Sequence, residues 1–301
     1  MNAWRRALEA ILDAPGVVVM LGPVDVGKTT VATAIASAAV RAGQRTAVVD
    51  ADTGQSDIGP PTTVALALPQ HPARRMDRWQ PAATFFVGDT TPQAVYGYLV
   101  DGTVRSIDLA RAREAEVIVV DTTGWVEGLA AVTAKVRKLY RIDPRHVVAL
   151  QRRGEVEPIL ERLPGRITVH RLRPSPHVRR RSHEVRRATR ARRFRRYFAG
   201  GRLHTLRLNE LRSGRLPAFG GREIPQDRIL RDIPAAELRH LLVGLANDGE
   251  WLKAVGSVVA AAPDRETVTV LAPVRSLGGV AALQWGILRV APSGIEEGRL
   301  Q

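Results

Sequence analysis

A fold of the α/β class, in which a mostly parallel sheet is flanked by helices and a smaller β-rich domain follows, is what this sequence predicts. Three observations predict it. Gly22-Pro-Val-Asp-Val-Gly-Lys-Thr-Thr30 satisfies G-x-x-x-x-G-K-[ST] between an apolar run, Val17 to Leu21, and a stretch from Thr29 to Arg41 with Ala, Val and Ile at helical spacing. Short apolar runs then alternate with helical patterns as far as residue 150, which reads as βα units with right-handed crossovers. After Gly200-Gly201 the texture changes to short segments of strand length. The expected organisation is a P-loop NTPase domain over residues 1–200, with an arginine-rich lid at about 171–199, and a C-terminal β-rich domain over 201–301.

The first motif carries the chemistry. A glycine-rich turn between strand and helix aims backbone N–H groups at a polyphosphate, Lys28 reaches the outer phosphates, and the Thr29 hydroxyl can ligate Mg²⁺. Gly22, Asp25, Val26, Gly27, Lys28, Thr29 and Thr30 are the expected nucleotide-binding residues. A second strand, Arg45 to Asp50, runs into Asp52-Thr-Gly-Gln55 and so sets two carboxylates at a strand's carboxyl end, where open α/β sheets place ligands. Asp50 takes the structural role of closing an Asx turn. Asp52 takes the chemical one, because Gly54 behind it lets the backbone come close to a ligand.

Residues 64 to 81, with three prolines, read as a linker. Thr84-Phe-Phe-Val-Gly-Asp-Thr-Thr-Pro92 is a third strand closed by a hydroxyl-rich turn. Its Thr90 and Thr91 either cap a helix over 93–113 or hold a phosphate at its N-terminus. Val117-Ile-Val-Val-Asp121 is an apolar strand ending in an acid, and Asp121 would support Mg²⁺ directly or through water. Trp125 leaves the same sheet edge, where a core role and a ligand platform both stay open. A helix over 129–140 and a strand over 146–150 follow.

Composition narrows the partners. Apolar residues make up 45 % of the 301, and no apolar run approaches the ~18 residues that a membrane helix needs. A soluble, cytoplasmic protein without a membrane partner is expected. The absence of cysteine excludes disulfides, cysteine zinc sites and a thiol nucleophile. The net charge is +15, and Lys28, Lys135, Lys138 and Lys253 are the only lysines among 45 basic residues. Arginine grips phosphate through two parallel donors, so nucleic acid is the natural partner class. Between Arg171 and Arg196 twelve arginines face one acid, Glu184, with Ser182 placed to cap a helix ending near Tyr197-Phe198. Like charges three and four apart cost a few tenths of a kcal/mol per pair, which a bound polyanion would offset. The C-terminal segments carry nothing that reads as catalytic.

In order and spacing these motifs resemble the polynucleotide 5′-hydroxyl kinases of tRNA splicing, mRNA 3′-end formation and ribosomal RNA processing, in a compact bacterial or archaeal form. The carriers are residues 22–30, Asp-Thr-Gly-Gln at 52–55 with Pro60-Pro61, Gly-Asp-Thr-Thr-Pro at 88–92, Thr-Thr-Gly-Trp-Val at 122–126, and the arginine-rich segment closing on Tyr197-Phe198. The resemblance implies that Lys28 and Thr29 hold ATP or GTP with Mg²⁺, and that Asp52 is the general base on the acceptor's 5′-hydroxyl. It further implies that Gln55, Thr90 and Thr91 bind the acceptor, with Thr91 clasping its phosphate, and that Trp125 stacks on a terminal base. Arg190 and Arg195 match the family's lid arginines. The acceptor would be single-stranded or end-exposed RNA or DNA; protein partners are left open. Eukaryotic members carry a sizeable domain before the phosphate loop, whereas about fifteen residues precede the strand here, so partner docking through that domain is not carried over; in them the position of Asp121 can be Asn.

Two other readings compete. Asp121-Thr-Thr-Gly124 matches the D-x-x-G of GTP-driven switches, but no N-K-x-D segment follows and Pro23 stands where dimerising ATPases have a second lysine. An idle ATP-bound RNA-binding subunit would not need Lys28, Thr29 and Asp52 intact.

Overall fold

The computed structural model describes residues 3–214 and 229–300, in two compact units. The first comprises 1–59, 64–83 and 96–181. Its elements are α1 (Ala3–Asp13), β1 (Val17–Leu21), α2 (Lys28–Arg41), β2 (Thr46–Ala51), β3 (Thr63–Ala67), β4 (Ala83–Phe86), α3 (Tyr96–Ala112), β5 (Val117–Thr122), α4 (Leu129–Ile142), β6 (His146–Leu150), α5 (Glu157–Leu160) and β7 (Thr168–Leu172). The sheet order is β4-β3-β2-β5-β1-β6-β7, and β4 carries the chain out of this unit.

The pairings β2–β5, β5–β1, β1–β6 and β6–β7 are parallel. Every residue of β1, β2, β5 and β6 is buried, as expected of parallel strands covered on both faces. Against this core α2 presents Ala32, Ile35, Ala36 and Ala39, and α1 presents Ala7 and Ile11. β3 departs from the expectation of a linker. Its Thr-Val-Ala-Leu-Ala is fully buried and runs antiparallel to β2, with Leu66 opposite Val49; the prolines lie beyond it and end the strand rather than prevent it.

The second unit comprises 60–63, 84–95 and 182–301. It contains α6 (His183–Phe198), β8 (Arg202–Arg207), β9 (Arg212–Gly214), α7 (Ile229–Asp232), α8 (Ala235–Leu238), β10 (Leu241–Ala246), β11 (Leu252–Ala262), β12 (Thr267–Ala272), β13 (Ala282–Val290) and β14 (Glu296–Arg299). Its strands run β14-β13-β10-β11-β12-β8 with antiparallel pairings, and β9 lies parallel beside β13.

Ser182 caps α6 by accepting the Val185 N–H at 3.3 Å, the cap that the sequence places there. The division between units falls before this helix rather than after residue 200. The reason is packing: Phe194 and Phe198, one helical turn apart, join Phe86, Leu242, Val255, Leu288 and Val290 in one core, and the Tyr197 hydroxyl accepts the Val255 N–H at 2.9 Å. Residues 84–95 enter the same unit because the Gly88 carbonyl accepts the N–H groups of Ile287 and Leu288. A Cβ at Gly88 would stand 2.8 Å from the Gly286 Cα, so only glycine allows that approach.

Candidate active site

In the first unit the phosphate loop forms as the motif requires. Gly27 is the N-cap of α2 in the left-handed region, φ 89°, a conformation that favours glycine. Gly22 has no room for a side chain, since a Cβ would meet the Leu150 carbonyl at 2.3 Å. Val26 is in the core, so only its backbone is available to a nucleotide. Lys28 is buried and donates to the Pro23 carbonyl at 2.7 Å, arching over its own loop. Burial lowers its pKa against the pull of Asp121, Asp52 and Asp25. Thr30 lies exposed on the first turn.

The strand ends bring three carboxylates to this loop. Asp50 and Asp121 are register partners across β2 and β5. Asp50 is committed to structure: its Oδ2 accepts the Asp57 N–H at 2.6 Å, the Ile58 N–H at 3.0 Å and the Ser56 hydroxyl at 3.1 Å. Burial, with Asp121 and Asp57 nearby, pushes its carboxyl up to about 7. Asp52 stands two residues on and is half-buried. Its Oδ1 accepts the N–H groups of Gly54 and Gln55, both at 3.1 Å, and among the described residues nothing donates to Oδ2. Asp50 closes the expected Asx turn by accepting the Asp52 N–H at Oδ1, 3.3 Å, and Gly54 closes a second one on Asp52 as donor. Beside it the Gln55 Oε1 and Thr53 Oγ1 are buried with no protein partner among the described residues.

Asp121 is held from two sides, its Oδ2 by the Thr29 hydroxyl at 2.5 Å and its Oδ1 by the Thr122 N–H at 3.0 Å. Burial pushes its carboxyl up to about 6, with Lys28 and the Thr29 hydrogen bond pulling the other way. A hydroxyl and a carboxylate oxygen in contact fit Mg²⁺, which binds through one or two protein oxygens and takes the rest from phosphate and water. No trio of His, Cys, Asp or Glu among the described residues could hold a metal alone.

Trp125 is half-buried, with the Tyr96 ring edge-on at 6.0 Å, and the Tyr96 hydroxyl donates to the Ala134 carbonyl of α4. Gly124 packs against Val24 of the phosphate loop so closely that a Cβ would stand 2.5 Å from the Val24 N.

The second unit holds the other expected residues. Thr90 is buried and Thr91 half-buried, and their N–H groups donate to Asp89 Oδ1 at 2.6 and 3.2 Å. Arg299 pairs with both oxygens of Asp89. Arg190 is ion-paired with Glu296 of β14, Nη2 to Oε2 at 3.0 Å, with both side chains largely buried; Arg195 is exposed.

Residues 22–200 match the model of the mRNA cleavage and polyadenylation factor CLP1 P-loop. The chain belongs to the CLP1 P-loop family. A polyribonucleotide 5′-hydroxyl-kinase of Methanocaldococcus jannaschii is 28 % identical over 98 % of this chain and 93 % of its own length. That of Thermococcus kodakarensis is 30 % identical over 98 % of this chain and 95 % of its own. The Clp1p subunit in the Clp1p–Pcf11p complex superposes with a TM-score of 0.72 at 13 % identity, covering 95 % of this chain and 78 % of that one, a likeness of fold.

At this CLP1-type site Arg152 and two lysines escaped the motifs. Asp25 accepts from the Arg181 backbone N–H at 2.9 Å and its Nε at 3.2 Å, while Arg152 donates to the Asp25 carbonyl at 3.0 Å. Two of the four lysines, Lys135 and Lys138, are buried in α4; their i, i+3 spacing next to a sheet is the one sequence sign of it. Lys135 holds the Thr122-Thr123 turn, donating to the Thr123 carbonyl at 2.7 Å and to both hydroxyls at 3.2 Å. Burial lowers Lys138 to about 7. The folded protein then gives up that proton near pH 7 and the unfolded chain near 10.5. In that window the unfolded chain binds more protons, so stability gained from this group rises with pH. Lys138→Met is expected to raise the melting temperature most at or below pH 7 and to flatten the rise between pH 7 and 10; melts at pH 6, 8 and 10 check this, and a uniform loss at all three contradicts it.

Proposed function

We propose that this chain transfers the γ-phosphate of a nucleoside triphosphate, ATP or GTP, to the 5′-hydroxyl of a polynucleotide, RNA foremost. The observation that carries the reading is Asp52, whose Oδ1 is tied down by two N–H groups while Oδ2 is left to receive a proton, close enough to Lys28 to interact with its charge. A switch that only hydrolyses nucleotide has no need of a second carboxylate held that way. The curated relatives named as polyribonucleotide 5′-hydroxyl-kinases, matched over nearly their whole length, support the same reading.

The step requires little covalent work from the protein, and positioning with charge supplies most of the acceleration. The acceptor oxygen gives its proton to Asp52 Oδ2 and bonds to the γ-phosphorus, while the bond from that phosphorus to the bridging oxygen breaks and the nucleoside diphosphate leaves. Lys28 exchanges the Pro23 carbonyl for phosphate oxygens. Mg²⁺ on Thr29 and Asp121 would neutralise charge on the phosphates. Arg195, and Arg190 once it exchanges Glu296 for phosphate, are the lid cations. Gln55 binds the acceptor, as does Thr91 with its neighbour Thr90, and Trp125 offers its face to the terminal base.

γ-Labelled ATP or GTP, offered with matched 5′-hydroxyl RNA and DNA oligonucleotides, tests this: label on the oligonucleotide is expected, and free phosphate released independently of it overturns the reading. Trp125→Ala is expected to weaken acceptor binding by ~1–3 kcal/mol, the worth of one stacked base, with nucleotide affinity retained. Paired titrations with oligonucleotide and nucleotide check it. A stability loss of ~3–5 kcal/mol, the range for a deleted core aromatic, would return Trp125 to packing.

A further inference from the structure

Beside Thr91 lies a cation that no motif assigned. Arg299, the last residue of β14, places Nε 2.6 Å from Asp89 Oδ2 and Nη2 3.0 Å from Oδ1. The same Nη2 donates to the Thr91 hydroxyl oxygen at 2.6 Å. Asp89 is fully buried, whereas the Arg299 side chain is 41 % exposed.

These contacts decide what the loop can offer an anion. The Thr90 and Thr91 N–H groups both point inward to Asp89 Oδ1, so they are not available to a phosphate as the amides of an open turn are. A bare Asp89 would also repel one. Arg299 cancels that charge, and because Thr91 Oγ1 accepts from Nη2 its own hydrogen is directed elsewhere. The exposed part of the guanidinium fork and that hydroxyl thus form a paired donor suited to phosphate oxygens.

We propose that Arg299 and Thr91 together receive a backbone phosphate of the 5′-hydroxyl acceptor, so that the strand β14 takes part in recognising the polynucleotide. The assignment rests on the kinase reading above. It gives the strands after residue 200 a direct share in substrate binding, where the sequence alone showed nothing that reads as catalytic.

The test is equilibrium binding of a fluorescent single-stranded 5′-hydroxyl oligonucleotide, without nucleotide, across a series of KCl concentrations. Arg299→Gln is expected to weaken binding about tenfold or more, the scale for losing a charge-assisted hydrogen bond. It should also lower the slope of log K against log salt by about 0.7, one phosphate contact on a single strand. The double variant Asp89→Asn/Arg299→Gln leaves no buried carboxylate without a partner, keeps an oxygen for the Thr90 and Thr91 N–H groups, and should show the same lost slope. If the double variant returns to wild-type affinity and slope, Arg299 only neutralises Asp89 and the proposal is overturned. Should Arg299→Gln fail to fold, the double variant alone gives the reading. A wild type that moves no label to RNA overturns the kinase reading, and a wild type that does so beside variants of unchanged slope overturns the Arg299 assignment alone.

Discussion

Asp52→Asn is expected to lower phosphoryl transfer by ~10² or more, the scale for losing a general base, while nucleotide and acceptor bind nearly as before. The substitution keeps the shape of the side chain. Asparagine's carbonyl oxygen can go on accepting the Gly54 and Gln55 N–H groups that fix the turn, so what disappears is the charge and the second oxygen. Single-turnover transfer with saturating nucleotide and acceptor isolates the chemical step, and both affinities come from direct titration. Asp50→Asn is the matched control, because Asp50 receives three donors at Oδ2 and holds the 56–58 turn; its cost should fall on stability. Were Asp50→Asn or Asp121→Asn inactive and Asp52→Asn close to wild type in rate, the base would be another group.

The second large effect concerns Phe194. It is fully buried, stacks on Phe198 at 6.3 Å, and joins α6 to the sheet of the second unit. Phe194→Ala should cost ~3–5 kcal/mol, a large part of the ~5–15 kcal/mol that holds a typical domain together. Arg192→Ala, two residues away and exposed, should stay within ~0.5 kcal/mol. Denaturant titrations followed by Trp285, which is buried in this unit, read the difference. Equal midpoints for the two variants would mean that α6 contributes arginines but no packing.

How far these features could be read from the sequence depends on how local their cause is. The phosphate loop, the strand ends at Asp52 and Asp121, and the Ser182 cap are each written within a few residues, and they appear as expected. β3 was missed because its signal is five residues long and prolines crowd it. The division before α6 was missed for a different reason: the arginines dominate the local pattern, and the two phenylalanines disclose their role only through partners about fifty to a hundred residues away. Arg299 is the extreme case, since its partner Asp89 lies 210 residues earlier. Lys135 and Lys138 were hidden by the ordinary expectation that lysine is exposed.

The second unit is drawn from three separated pieces of chain, 60–63, 84–95 and 182–301, and its core needs Phe86 together with Phe194 and Leu288. Bringing those together closes a loop of more than a hundred residues, a contact that costs chain entropy before any burial repays it. The first unit requires a closure of similar length, because β5 lies between β1 and β2 and sets Ile118 opposite Val17. A chain cut after residue 200, the boundary suggested by composition, would strand Phe194 and Phe198 without the sheet that covers them, and should be captured by chaperones or aggregate rather than fold as a smaller kinase domain.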